Sequence, residues 1–159
     1  MVKVTFEVNE IVRKIFLKIE EIIKYLKSRY TANFRQDSPT YWRVEVMTTE
    51  GRSQVVHLIY KKIILAGQDL SRLIAESPIG PLYKHFNYET ILRKNAELDV
   101  GAICIEDLKN EENLFVSYLT LRSTHLVPTA DYEEIQELIE KTAFVADQLE
   151  KEIYARDYH

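Results

Sequence analysis

Cysteine occurs once in the 159 residues, at Cys104, so an intramolecular disulfide framework is excluded. A lone thiol also points to a reducing compartment, and the expected location is cytoplasmic. Glycine and proline are scarce, four of each, which leaves little material for flexible linkers. There is no internal repeat and no low-complexity run, and a single domain over residues 1–159 is expected. Nowhere does an apolar run reach the roughly 20 residues that span a bilayer. The opening MVKVTFEVNE lacks the basic segment and apolar stretch of a secretory signal. Basic charge is not in excess either: 21 Lys and Arg stand against 25 Asp and Glu, a formal charge of −4. Nucleic acid rewards clustered cations, so neither nucleic acid nor a membrane is an expected partner.

What is present reads as strand runs flanked by helices. From Asn9, NEIVRKIFLKIEEIIKYLKSRY places Val12, Ile15, Phe16, Ile19, Ile22, Ile23, Leu26 and Tyr30 at helical spacing. Asn9 is the expected cap, because its side chain can accept from an orphan N–H of the first turn. YWRVEVM alternates, with Trp42, Val44 and Val46 on one face and Arg43 and Glu45 on the other, as a half-buried strand does. A turn around Gly51 and the run QVVHLIYKK complete an expected antiparallel hairpin. Leu70–Ser77 is read as a third strand, entered through a turn at Gly67-Gln68-Asp69 and ended by Pro78. A short helix over Tyr88–Asn95 follows, anchored by Ile91 and Leu92, then a buried strand over Val100–Ile105. EDLKNEEN is expected as a solvated acidic turn, and Leu114–Arg122 as the last strand, with Phe115, Leu119 and Leu121 on one side. Asp131 followed by Glu134 forms a capping box for a final helix striped by Ile135, Leu138, Ile139, Thr142, Val145, Ala146, Leu149 and Ile153. Helix, three strands, helix, two strands, helix is an α+β domain.

The residues that usually carry chemistry are sparse. In ESPIGPLYKHF one glycine sits between two prolines, each of which removes an N–H donor, so Ser77–Pro81 is read as a strand-to-helix corner and not as a phosphate cradle. Cys104 falls in an expected buried strand with no base nearby in sequence. His57, His85, His125 and His159 form no ligand pair, and Glu106-Asp107 and Glu111-Glu112 flank a turn. No catalytic, cofactor-binding or metal-binding set is therefore expected. A small enzyme using Cys104 or His57, and a nucleic-acid-binding regulator, are the alternative readings. Tyrosine is abundant, with 10 copies, and Tyr41, Tyr60, Tyr83, Tyr88 and Tyr118 are suited to interfaces, where aromatics bury large area at low entropy cost.

The strings GRSQVVHLIY, ESPIG, ILRKNAELDVGAICIED and AFVADQLEKEI, in this order, resemble the YbjN-like proteins, which share the fold of the type III secretion chaperones. The resemblance runs from about Trp42 to the C-terminus and rests on packing and turn patterns. It implies a homodimeric, non-enzymatic adaptor or chaperone-like regulator that holds a polypeptide client and needs no cofactor. By alternation, Arg43 lies opposite Trp42, and Val116 and Tyr118 lie opposite Phe115 and Leu119. Arg43, Val116 and Tyr118 are the expected partner-binding residues, at a dimer contact or a client groove.

Overall fold

The computed structural model describes residues 18–66, 68–109 and 112–154. The expected Asn9 cap, with Val12, Ile15 and Phe16, lies outside them, as do Gly67, Glu111 and His159. The first helix, α1, covers residues 18–30 of the described chain and buries Ile19, Ile22, Ile23 and Leu26, the stripe that its spacing predicts. A 3-10 turn at Thr31–Asn33 leads into β1 (Phe34–Ser38) and β2 (Tyr41–Met47). A second 3-10 turn, Thr49–Gly51, closes the β2–β3 hairpin with Gly51 at φ 74°. Two long strands follow, β3 (Ser53–Leu65) and β4 (Gln68–Pro81). The remaining elements are α2 (Tyr88–Lys94), β5 (Ala102–Lys109), β6 (Phe115–Leu126) and α3 (Tyr132–Tyr154).

The six strands form one sheet in the order β1-β2-β3-β4-β6-β5, and all five pairings are antiparallel. The α+β class is as expected, but the arrangement differs in several places. The first is β1, a strand the sequence pattern does not announce: FRQDS is polar and mostly exposed, and among the described residues its one ladder is with β2. The second is the segment around Gly80. Ser77–Pro81 is not a corner, because β4 continues through it and pairs with Thr120, Leu119 and Tyr118 of β6. Pairing between β3 and β4 stops at His57 and Glu76, so this part of β4 is a local edge, where proline is tolerated. A bulge between Pro78 and Gly80 accommodates the shift. Gly80 has no room for a side chain: a Cβ there would meet the Tyr154 ring at 2.5 Å, and Tyr154 Oη donates to Pro81 O at 2.7 Å. The segment is the seat of the C-terminal end of α3. Likewise β4 already begins at Gln68, so Gln68 and Asp69 are strand residues and not part of a turn. The third difference is the acidic stretch. Glu106 and Asp107 belong to β5, held in the ladder opposite Tyr118 and Ser117, although their charge reads as loop.

The three helices of the described residues lie on one face of the sheet. One core cluster joins α1 to Trp42, Val44, Val56, Leu58, Leu73 and Ala75 of the sheet and to Ile135, Ile139 and Ala143 of α3. A second cluster gathers Ile91 of α2, Ile103, Leu119, Leu121 and Ile79, with Ala146 and Leu149 of α3. At 1.5 Å per residue, the 23 residues of α3 run roughly 34 Å and belong to both clusters. Its capping box is formed in both directions: Glu134 N–H donates to Asp131 Oδ1 at 2.7 Å, and Asp131 N–H to Glu134 Oε2 at 3.0 Å. Buried Asp147 on α3 accepts from Arg52 at 2.7 Å and faces Lys151 at 3.1 Å, tying the helix to the β2–β3 turn. These two cations hold its carboxyl below the usual range even though burial opposes ionisation.

Candidate functional site: the open face of the sheet

Strand alternation sends every second side chain to the face opposite the helices. Among the described residues no helix covers that face. Register lines up its side chains in rows. One row reads Arg35, Arg43, His57, Glu76, Arg122, Ala102, a single line across all six strands. The next row is Tyr41, Ile59, Ile74 and Thr124, and beyond it lie Lys61, Arg72 and Leu126. On the other side of the charged row are Glu45 with Val55 on β2 and β3, and Pro78, Thr120 and Cys104 on β4, β6 and β5.

Two of the arginines in the charged row, Arg43 and Arg122, are paired with carboxylates. Arg43 makes a bidentate pair with Asp37 at 2.6 and 2.8 Å, and this hydrogen bonding holds the Asp37 carboxyl below its usual range. His57 Nδ1 and Tyr41 Oη are hydrogen-bonded. Burial, reinforced by the Arg43 charge, pushes the His57 imidazole down, while Asp37 opposes the shift. Glu76, 5% exposed, accepts from Arg122 Nε at 2.7 Å, and Arg122 also pairs with Glu106. Burial works against the Arg122 charge, yet Glu76 and Glu106 keep its guanidinium more basic than usual. Cations thus stand at β2 and β6 with a histidine and a carboxylate between them. The flanking rows mix polar side chains, among them Glu45, Lys61, Arg72 and Thr124, with apolar and aromatic ones, of which Val55 and Leu126 are exposed and Tyr41, Ile59, Ile63 and Leu70 half-buried.

The three expected partner-binding residues all lie on this face, but they are not together. Tyr118 is opposite Glu106, and Val116 opposite Leu108, at the β5–β6 end. Arg43 is three strand spacings from β6, about 14 Å at 4.8 Å per strand. What the sequence does not reveal is the row between them. His57, Glu76 and Arg122 are far apart in the chain, and only the registers of β3, β4 and β6 bring them into line.

Register also separates the residues of the alternative enzyme reading. Cys104 is on β5 and His57 on β3, with β6 and β4 between them. Burial raises the Cys104 thiol pKa, only partly offset by Arg122, which is the opposite of an activated nucleophile. Among the described residues no group of His, Cys, Asp or Glu is arranged to hold a metal ion, and no helix is long and apolar enough to cross a membrane.

Comparison of the chain with protein-family models, with curated proteins and with solved structures finds no match. These comparisons identify no family for the chain.

Proposed function

We propose that the chain is a non-enzymatic, cytoplasmic adaptor or chaperone-like regulator that holds a polypeptide client on the open face of its sheet and works as a homodimer. The observation that carries this reading is the division of the sheet. The helices build the core on one face, and the other keeps aromatic and aliphatic side chains beside a row of charges. An extended polypeptide suits such a surface: its apolar side chains meet the Tyr41–Ile59 row, and its polar groups meet guanidinium and carboxylate edges. The quoted YbjN-like strings support the same function.

Self-association has its own surface. Tyr88 and Leu92 on α2, Ile105 on β5 and Phe115 on β6 are exposed, Phe115 by 72%, although they lie on the helical side at the β5 end. Exposed apolar side chains at one end of the helical side offer area for such a contact. Two copies meeting there about a two-fold axis leave both open faces free.

The test is a screen of immobilised protein against a library of extended peptides, with a photo-crosslinker placed at position 59. Saturable capture with crosslinks from this position, lost in Val55→Asp, is the expected outcome. Peptides that crosslink only to the helical side, or no capture at all by a folded dimer, would overturn the assignment.

A further inference from the structure

A cleft of about 440 Å³ opens between α1 and the β1–β3 end of the sheet, on the side away from the open face. Its walls are Ile19 and Ile23 from α1, Pro39, and the rings of Trp42 and Tyr60. Glu20, Lys24 and Lys27, spaced along the exposed side of α1, stand at its mouth with Gln36. The size and apolar lining are those of a small-molecule site, for which roughly 300–1,000 Å³ is usual.

Charge says what such a molecule carries. Among the described residues Lys27 is held only by the Gln36 amide oxygen at 3.1 Å and by the Phe34 ring at 5.9 Å, and Lys24 has no partner. With Glu20 as the one anion among the described lining residues, the mouth keeps an excess of positive charge.

We infer that this cleft binds a small free carboxylic acid with an apolar body, the body against Ile19, Ile23, Pro39 and Trp42 and the carboxylate toward Lys24 and Lys27. The site is separate from the open face and does not depend on the function proposed for it.

Trp42 is the only tryptophan in the chain, so its emission reports on the cleft directly. Full-length protein is titrated with decanoate below its aggregation threshold, and in parallel with decyltrimethylammonium. The expected result is a saturable change in emission with decanoate and none with the cation. The Lys24→Glu, Lys27→Glu double variant changes two exposed helix positions. It should fold normally by circular dichroism and bind decanoate roughly tenfold more weakly, a change equivalent to about 1.4 kcal/mol. An equal response to both amphiphiles, no saturation, or unchanged affinity in the double variant would overturn the inference. So would tighter binding to vesicles of anionic lipid than to decanoate, which would make the surface a membrane contact.

Discussion

Arg122 is shared between a buried carboxylate, Glu76, and a more exposed one, Glu106, and the two partners are not equivalent. Removing the guanidinium leaves Glu76 buried and uncompensated. Breaking a fully buried pair costs about 3–5 kcal/mol, and because Arg122 keeps 29% of its side-chain surface, about 2–3 kcal/mol is expected for Arg122→Ala. Urea denaturation measures this, and adding Glu76→Gln to the same chain should restore part of the loss. His57 gives a pH signature. Its folded pKa lies below the ordinary 6.5, so as pH falls through that value the unfolded chain takes up the proton first. Stability contributed by neutral His57 is therefore complete above about pH 6.5 and declines below it until the folded imidazole also protonates. A His57→Gln chain should show a flatter dependence of melting temperature between pH 7 and pH 5, the window set by that ordinary value. An unchanged slope would show that His57 is not its source.

Elements with strong periodicity are legible in the sequence. The stripe of α1, the Trp42–Val44–Val46 face of β2 and the Asp131–Glu134 box of α3 all follow from spacing alone. Replacing Asp131 with Ala should cost about 1 kcal/mol, the usual worth of an N-cap acceptor, read as a lowered urea midpoint with unchanged slope. Elements whose reason is tertiary are not legible in this way. Ser77–Pro81 carries the residues of a turn, and it is a strand because β6 pairs with one side of it while β3 has already left the other. Glu106 and Asp107 look like loop because they are charged, but Arg122 takes up Glu106 and Ser117 donates to Asp107 at 2.7 Å. β1 is short, polar and exposed, so burial leaves no pattern in it. The candidate site shares this limit: alternation puts Arg43, Val116 and Tyr118 on a face, whereas the His57–Glu76–Arg122 line depends on three registers.

For the molecule as a whole, the two proposed surfaces make separable predictions. Light scattering at micromolar concentration should give a dimer for the wild type and a monomer for Leu92→Asp combined with Phe115→Asp. A wild-type monomer would remove the self-association proposal and leave the open face to be tested alone. Tyr118→Ala should keep the dimer and weaken capture of a selected peptide by about 1–2 kcal/mol, as an interfacial aromatic does. Unchanged capture with a large fall in melting temperature would make Tyr118 a structural residue instead.

The length of α3 has a consequence for how the protein comes apart. Ala143 closes the cluster under α1 and Ala146 opens the cluster under α2, so one uninterrupted helix is the mechanical coupling between two half-cores. Phe144 lies at that junction and is 40% exposed, so a proline there cuts the coupling without emptying either core. In the wild type the amides of β2–β3 and β5–β6 should exchange through one common opening, as a single cooperative unit. In Phe144→Pro they should separate, with β5–β6 exchanging first while β2–β3 stays protected beneath α1.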